Sequence, residues 1–453
     1  MVKAILLLFL SSLLSFAHIV NQYPPVELNL RLKFLIDHKF VQRPDSSWLY
    51  LPKRKEVLVF GANSTSVFGL ETGGKIKELS ALHIPKGHFL RDLSPDETKL
   101  VTYGFLDKEA ELWDISHGNL IVAFPKRNKE IDTVVWDSNS RYLLFNNSPI
   151  HGEKAHEVFD AQTGRVISTI VTRLKSTAQF SPDGKAVLTC ETDITYRRTD
   201  QLKLWNVVNG ALIREFPLTF YAQTVRATFS PDGKYVLVSD VEKDIHVIDS
   251  NSGETFKVID RGSDIAGYSR LLFSPDGRYL LLNRERWRGF FKRDEVWFEV
   301  YDTVSYTLKS EIRTQRPGKD QVEEHQVLWR PDSNAVVSAG DFYQKQYGAE
   351  CWDTVTGRQK FVLSPLIAKH ASGLLDSGYD YYDEVSFSED SRLLITSNTS
   401  KNDNVRIWDA ETGKLLKALN RTEGYYRTTP DDKYVTKIEA DGRTISLYEI
   451  VAR

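Results

Sequence analysis

The chain has 453 residues, of which 41% are hydrophobic, so its length allows one very large domain or two to three ordinary ones. Its 59 Lys and Arg nearly balance its 61 Asp and Glu. The formal net charge of -2 excludes a global field that steers the protein onto nucleic acid or an anionic membrane. The 9 Trp, 20 Tyr and 23 Phe lie among Val, Leu and Ile in short runs, which favours an all-β fold.

The first 17 residues have the composition of a secretory signal peptide. Lys3 gives a positive start, residues 4–14 are apolar, and Ser15 and Ala17 place small residues at the -3 and -1 positions of a cleavage site. The apolar run is shorter than the roughly 20 residues of a spanning helix, although an uncleaved anchor or a buried first strand remains an alternative. The sequence predicts cleavage after Ala17 and a secreted or periplasmic mature chain without a membrane span.

A repeat fills the chain from about residue 46 to its end. Its clearest copies read Phe-Ser-Pro-Asp-Gly and begin at Phe180, Phe229 and Phe273. This motif predicts a type I turn between two strands, in which Ser accepts a hydrogen bond, Pro presets φ and Gly relaxes the fourth position. Weaker copies lie near residues 93, 136, 329, 387 and 429, and a degenerate unit lies near residue 48.

Each unit continues beyond this turn in the same way. An apolar strand follows, then an alternating strand that ends in an aromatic or apolar residue plus Asp or Asn, then a second tight turn and a last strand. Clear examples of the paired residues are Trp113-Asp114, Trp205-Asn206, Trp352-Asp353 and Trp408-Asp409. Each unit is therefore predicted to be a four-stranded antiparallel meander.

These residues resemble the WD-repeat (Trp-Asp repeat) family over nearly all of residues 46–453. The Trp-Asp pairs at residues 113–114, 352–353 and 408–409 match its signature, and Gly87-His88 stands at its Gly-His position. Asp107 matches the Asp that the family places between the second and third strands. Elsewhere the Gly-His is missing and the Trp is often replaced, so the resemblance is to a divergent member. The resemblance implies a β-propeller, and by analogy a non-catalytic protein-interaction scaffold.

We therefore predict an all-β fold, a single large β-propeller of eight or nine four-stranded antiparallel blades, with nine favoured. The final unit stops after its third strand at residues 444–450, whereas residues 26–34 alternate cleanly. We expect this N-terminal strand to supply the missing outer strand and to close the ring. The predicted organisation is a signal peptide at 1–17, an N-terminal segment with the ring-closing strand at 18–45, and the propeller at 46–453.

The sequence contains no pattern that predicts chemistry. We find no nucleophile elbow, P-loop or dinucleotide fingerprint, and we expect His151 and His156 to be a solvated loop pair, so no catalytic residue, metal site or cofactor is predicted. Cys190 and Cys351 lie three units apart, which predicts two separate thiols. Asn-x-Ser/Thr sequons, of which chance alone provides about two or three, stand at Asn63, Asn146, Asn398 and Asn420.

Extra length falls in only two of the four connections of each unit, those after the second and the fourth strand. Insertions are therefore expected on one face, where a basic aromatic stretch at 284–293 lies near further aromatics at 341–347 and an acidic Tyr stretch at 374–384. Because Trp, Tyr and Arg supply most interface energy, these stretches predict a partner-binding site, unless the aromatics only order their own loops. The candidate residues are Arg286, Trp287, Arg288, Phe290, Phe291, Tyr343, Tyr347, Tyr379, Tyr381 and Tyr382.

Three functions remain open at this point. We favour an exported scaffold that binds a protein partner through these loops. The first alternative is a propeller enzyme or small-ligand binder, which needs a ring of His, Asp or Arg around the central channel. The second is a polyanion reader on residues 284–293, which the acidic neighbouring loop disfavours, so a nucleic-acid partner is not expected.

Overall fold

The computed structural model describes residues 28–37 and 48–452 with gaps between them. The gaps are 62–63, 84–87, 105–108, 125–130, 148–153, 173–174, 193–200, 219–225, 240–243, 261–270, 287–293, 319–325, 340–348, 364–383, 398–402, 421–424, 429–432 and 439–443. The 36 elements of the described residues are all β-strands. No helix in this part of the chain has the length and apolarity to cross a membrane.

The strands form four-stranded sheets, here called blades and numbered in chain order. Blade 1 contains β2 (Trp48–Leu51), β3 (Glu56–Phe60), β4 (Thr65–Gly69) and β5 (Lys75–Leu79), and blade 2 contains β6 (His88–Leu93), β7 (Lys99–Gly104), β8 (Ala110–Asp114) and β9 (Asn119–Phe124). Blade 3 contains β10 (Ile131–Trp136), β11 (Tyr142–Asn147), β12 (Lys154–Asp160) and β13 (Val166–Thr172). Blade 4 contains β14 (Lys175–Phe180), β15 (Ala186–Thr192), β16 (Gln201–Asn206) and β17 (Leu212–Phe216).

The second half of the chain repeats this arrangement. Blade 5 contains β18 (Arg226–Phe229), β19 (Tyr235–Ser239), β20 (Ile245–Asp249) and β21 (Thr255–Ile259), and blade 6 contains β22 (Leu271–Phe273), β23 (Tyr279–Arg286), β24 (Asp294–Asp302) and β25 (Leu308–Gly318). Blade 7 contains β26 (Gln326–Trp329), β27 (Ala335–Ala339), β28 (Ala349–Asp353) and β29 (Gln359–Leu363), and blade 8 contains β30 (Glu384–Phe387), β31 (Leu393–Ser397), β32 (Asp403–Asp409) and β33 (Leu415–Asn420). Blade 9 contains β34 (Tyr425–Thr428), β35 (Tyr434–Ile438), β36 (Thr444–Ala452) and, from the N-terminus, β1 (Leu28–Asp37).

The nine blades of the described residues form a closed propeller ring. Each hydrophobic cluster of buried side chains combines residues from two successive blades, as sheets that bury both faces require. The last of these clusters joins Tyr434 of blade 9 to Tyr50 of blade 1, with their ring centroids 5.8 Å apart. The prediction of an all-β propeller with eight or nine blades is confirmed, with nine sheets.

Strand β1 closes the ring as the sequence predicted. It pairs antiparallel with β36 along its whole length, from Leu28 opposite Ala452 to Asp37 opposite Thr444, and a bulge lies between Leu32 and Phe34. Blade 9 therefore takes its outer strand from the opposite end of the chain. This pairing completes a blade that otherwise has three strands.

The connections divide the ring into two faces. Those from the first to the second strand and from the third to the fourth strand have four or five residues, and we call their side the turn face. The other connections range from two to twenty residues, and we call their side the insertion face. The predicted crowding of insertions on one face is thus confirmed, and the longest connection is residues 364–383, between blades 7 and 8.

The turn motif forms the hydrogen bonds that the sequence predicted, and its Asp accepts one more. In blade 5 the Gly233 N–H donates to Ser230 O (2.8 Å), which closes the turn. The Ser230 hydroxyl accepts the Tyr235 N–H (2.9 Å), as expected, and also donates to Asp232 Oδ1 (2.6 Å). The Asp of each such turn therefore holds the Ser that closes it.

The left-handed position of this turn is not reserved for Gly. Lys55, Glu97, Ser140, Ser333 and Ser391 occupy it with φ between 52° and 64°. Four of these residues bind the turn of the preceding blade: the three Ser hydroxyls each accept a backbone N–H, and Glu97 accepts the N–H groups of residues 53 and 54. The bonds between blades offset the strain of a side chain at positive φ, which the repeat pattern does not reveal.

The two cysteines are separate thiols, as predicted. Cys190 and Cys351 are both buried and neither forms a disulfide. Cys351 lies in the cluster between blades 7 and 8, where burial raises the pKa of its thiol to about 12. A thiol with that pKa is protonated at neutral pH and therefore unreactive.

Candidate functional site

Blade 6 projects from the insertion face further than its neighbours. Its strands β23, β24 and β25 have eight, nine and eleven residues, whereas β19, β20 and β21 of blade 5 have five each. Pairing places Ile312 opposite Phe298, the level at which Ile259 ends β21 opposite Ile245. Beyond this level lies a three-stranded extension, which we call the blade-6 arm: Arg284–Arg286, Asp294–Trp297 and Arg313–Gly318. The four arm residues of β24 extend it by ~13 Å.

A network centred on Glu299 holds the base of this arm. Arg284, which is 1% exposed, donates from Nε to Glu299 Oε2 (2.7 Å). Trp297 Nε1 donates to Oε1 of the same carboxylate (3.1 Å), and the Tyr301 hydroxyl donates to Oε2 (2.8 Å). Burial, followed by the charge of Glu299, raises the pKa of Tyr301 well above its usual range. A carboxylate with three donors on two strands fixes these strands relative to each other.

Strand β25 is tied to the same network. The guanidinium of Arg313 lies 4.8 Å from the centroid of the Trp297 ring, a cation–π contact. Arg313 Nη2 also donates to Glu311 Oε2 (2.6 Å) on its own strand. Side-chain contacts within the arm therefore connect all three of its strands. The outer edge of β25 pairs with no described strand.

Of the predicted partner-binding residues, the structure describes Arg286. Arg286 is the last residue of β23, opposite Glu295, and its backbone alone is described. The remaining nine residues lie outside the described residues: Trp287, Arg288, Phe290, Phe291, Tyr343, Tyr347, Tyr379, Tyr381 and Tyr382. Their assignment to a binding site stays a prediction, and the chain places the first four in the connection between the two inner strands of the arm.

A second polar cluster links blades 3 and 4 near the insertion face. His156 Nδ1 lies 2.7 Å from Asn146 Oδ1, and His156 Nε2 lies 2.7 Å from Ser176 Oγ. Because the Asn146 amide nitrogen donates to Thr133 Oγ1 (2.8 Å), its oxygen accepts and His156 Nδ1 carries the proton. The expectation of a solvated loop pair was wrong for His156, which is buried in β12, because the hydrogen bonds offset its burial. Asn146 is also buried, so its sequon is inaccessible in the folded chain.

On the turn face, Arg330 replaces the Ser of the repeat in blade 7 and is 2% exposed. Its Nε donates to Asp332 Oδ1 (2.8 Å) and its Nη1 to Glu411 Oε2 (2.8 Å) in blade 8. Lys360 Nζ approaches the other Glu411 oxygen at 2.5 Å. Burial opposes the charge of Arg330, but Asp332 and Glu411 outweigh it and raise the pKa of the guanidinium. These ion pairs connect two blades and leave little of their charge free for a partner.

The first strands of the blades surround the axis of the ring, as the contacts of β10 with β6 and with β14 show. The next-to-last residue of this strand is half-buried in the seven blades 2 to 8, and one of the seven side chains, Asp92, is ionisable. The others are Val135, Gln179, Thr228, Leu272, Leu328 and Ser386. Gln179 Nε2 donates across to Ala227 O (2.6 Å), so it ties two first strands together. No group of three or more metal-ligating side chains occurs among the described residues.

This protein is a β-propeller, because its four-stranded blades form a closed ring with short turns on one face. Two protein families match parts of its sequence: eukaryotic translation initiation factor eIF2A over residues 93–222, and WD domain, G-beta repeat, over residues 384–409. The second match spans the first three strands of blade 8. The chain is a β-propeller, and the matched repeat in blade 8 supports its resemblance to WD-repeat propellers. No curated protein matches its sequence.

Solved structures share the fold at low sequence identity. A crystal structure of a eukaryotic initiation factor is similar with a TM-score of 0.60 and 16% identity, over 85% of this chain and 90% of that chain. The dihydro-heme d1 dehydrogenase NirN, in complex with DHE, is similar with a TM-score of 0.51 and 16% identity, over 86% of this chain and 78% of that chain. One of these is an initiation factor and the other a dehydrogenase, so the likeness describes the fold alone.

Proposed function

We propose that this protein is a non-catalytic interaction scaffold that binds a protein partner through its insertion face, centred on blade 6. The blade-6 arm carries this proposal, because it is an ordered projection that the propeller fold does not need. Three strands extend together beyond the ring, and the Glu299 network fixes them. Rigid elements that present exposed connections are typical of binding sites.

The two faces differ in the way that a one-sided scaffold requires. On the turn face, the Asp and Ser side chains of the turns bond within their own turn or to the neighbouring blade. On the insertion face, the connections are longer and contain the Trp, Phe, Tyr and Arg side chains that dominate interfaces. In six of the seven blades 2 to 8, the next-to-last residue of the first strand is uncharged. This favours a scaffold over an enzyme that uses the central channel.

We further propose that the protein is exported. Strand β36 runs from the insertion face to the turn face, so the antiparallel β1 begins at the turn face, with Leu28 beside Ala452. The chain therefore enters β1 on the side away from the blade-6 arm.

Expression in a host that exports the protein is expected to give a mature chain that starts at His18. The small residues Ser15 and Ala17 define the cleavage site, and Ala17→Leu should block processing because the pocket for the -1 residue accepts only small side chains. N-terminal sequencing and intact mass of the purified chain measure the result. A chain that retains Met1 and stays in the cytoplasm contradicts export.

A second candidate function is a role in translation initiation. It is motivated by the match of residues 93–222, which contain blades 3 and 4 and most of blade 2, to the eIF2A family. The net charge of -2 and the predicted leader oppose it. Co-sedimentation with ribosomal subunits tests it, and salt-sensitive binding by the cytoplasmic chain would favour this function over export.

Replacement of Trp287, Phe290 and Phe291 by Ala is expected to abolish recovery of the partner without a change in fold. Buried aromatic anchors each contribute about 2 kcal/mol or more to binding, so loss of three lowers affinity by more than a thousandfold. Affinity capture from the exported fraction of the source cells, followed by mass spectrometry, measures recovery. Circular dichroism and the thermal midpoint verify the fold.

The turn face offers a matched control for this experiment. Val208, Val304 and Val355 are exposed apolar side chains in turns of blades 4, 6 and 7, and Val304 is 80% exposed. Their triple Ala variant removes exposed apolar surface from the opposite face and is expected to leave capture unchanged. Loss of the partner from this variant, with full recovery by the insertion-face variant, contradicts the proposed site.

A further inference from the structure

The outer edge of strand β25 is longer than any other outer strand in blades 1 to 8. The other outer strands of these blades have five to seven residues, and β25 has eleven. Its last six residues, Arg313–Gly318, rise above the ends of the neighbouring outer strands, Ile259 of β21 and Leu363 of β29. Within the described residues, neither neighbouring blade therefore has a strand at the height of this edge.

This edge presents backbone groups that a further strand can pair with. The sheet of blade 6 has the order β22-β23-β24-β25, so β25 pairs with β24 on one side and with no described strand on the other. Alternate N–H and C=O groups of an edge strand point outward and remain open to an added strand. Pro317, which lacks an N–H, lies opposite Glu295 near the tip, so the segment below it is the part able to pair.

The edge is held in strand geometry before any partner arrives. Arg313 lies over Trp297, and Trp297 donates to Glu299, which is also ion-paired with Arg284. This chain of contacts runs from the outer strand to β23, across the whole arm. Strand addition to a preorganised edge avoids much of the ordering entropy that a flexible edge loses on binding.

The charge along this edge selects the kind of partner. Strand β25 contains Lys309, Arg313 and Arg316 against one acid, Glu311, which is ion-paired with Arg313. By sequence the net charge of the strand is therefore +2 (three basic residues minus one acid), whereas that of the whole chain is -2. An acidic extended segment complements the strand, whereas a basic one is repelled.

We propose that an extended acidic segment of the protein partner adds as a further strand to the outer edge of β25. Main-chain hydrogen bonds supply affinity, and the net positive charge of β25 selects carboxylate side chains. This inference rests on the proposed scaffold function and names the chemistry of its partner. It does not depend on the aromatic connection at residues 287–293, so the two can fail separately.

The test uses a short fluorescein-labelled peptide of alternating Glu and Val, with the full mature chain titrated in fluorescence anisotropy. We expect saturable binding that weakens with salt, and roughly tenfold weaker binding after Arg313→Glu with Arg316→Glu. Lys257→Glu, on the shorter outer strand of blade 5, is the matched control and is expected to change little. Hydrogen exchange should show slower amide exchange in residues 308–316 on binding.

Two further probes decide between strand addition and simple charge attraction. The same peptide with N-methylated alternate amides keeps its charge but loses its main-chain donors, and it is expected to bind roughly tenfold more weakly. Equal binding of the methylated peptide, absence of saturable binding, or tighter binding of an oligothymidylate overturns the proposal. In partner capture, recovery by the Arg313→Glu, Arg316→Glu variant with loss by the Trp287, Phe290, Phe291 variant overturns this inference and leaves the scaffold function intact.

Discussion

Deletion of residues 18–40 is expected to unfold the propeller rather than shorten it. The deletion removes β1, which pairs with β36 from Leu28 to Asp37, and leaves blade 9 with three strands. Blade 9 packs on blade 8 and, through Tyr434, on blade 1, so its loss opens the ring at two interfaces. Because a whole domain is stable by only about 5–15 kcal/mol, loss of one outer strand and two interfaces is enough to unfold it.

Far-UV circular dichroism, size-exclusion chromatography and urea denaturation measure this effect. A shorter deletion of residues 18–24 is the matched control, since it leaves β1 intact, and it is expected to retain the wild-type urea midpoint. Addition of a synthetic peptide with residues 25–40 to the longer deletion should restore part of the signal. A cooperative transition of normal midpoint in the longer deletion is incompatible with closure by β1.

Replacement of Arg330 by Met is expected to lower the free energy of unfolding by roughly 3 kcal/mol, because Asp332 and Glu411 each lose a partly buried ion pair, although Glu411 keeps the one with Lys360. Arg330 is 2% exposed and bridges Asp332 in its own turn to Glu411 of blade 8. Asp332 and Glu411 are about one-fifth exposed, so water offsets part of the loss. Urea denaturation followed by Trp fluorescence measures the change.

Two further variants separate the local from the interblade contribution of Arg330. Arg330→Ser restores the residue found in blades 2, 4, 5, 6 and 8, whose hydroxyl bonds the Asp two residues later, so it should be less destabilising than Met by about 1 kcal/mol. A double-mutant cycle with Glu411→Gln should show a coupling energy of about 1–3 kcal/mol. A coupling near zero indicates that the ion pair between blades 7 and 8 contributes nothing.

The fold was predictable because the sequence of each blade contains the signals for its own turns and strands. The motif at Phe229 specifies a turn by residue type, and the alternation before Ile248-Asp249 specifies a strand, so nine weak signals combine into one. Ring closure was predictable for a similar reason, since the strand at residues 26–34 and the missing outer strand of the last unit are both visible in the sequence.

The polar contacts between blades were not predictable from the repeat. Arg330, Glu97 and His156 each look like a departure from the pattern, and each forms a hydrogen bond with a group one blade away. In sequence these partners lie between about 20 and 81 residues apart, so no local pattern connects them. His156 was misread for this reason, because a His in a variable connection resembles a solvated one until its partners Asn146 and Ser176 are known.

The blade-6 arm was anticipated only in part. The basic aromatic stretch predicted a long connection, but half of the insertion is strand: Arg284–Arg286 extends β23 and Asp294–Trp297 extends β24. The signal was available in the alternation of residues 294–302, where Trp297, Glu299 and Tyr301 share one face of the strand. The length of β25 had no comparable signal, since Arg313–Gly318 lacks apolar residues.

Hydrogen–deuterium exchange on the protein with and without its captured partner tests the central claim most directly, because it reports both faces of the ring at once. The account predicts slower exchange in blade 6 on the insertion face, in residues 281–286, 294–300 and 311–316, with turn-face segments such as 182–185 and 302–307 unchanged. Protection confined to the turn-face segments, with residues 281–286 and 294–300 unchanged, contradicts an interaction scaffold that binds through the insertion face.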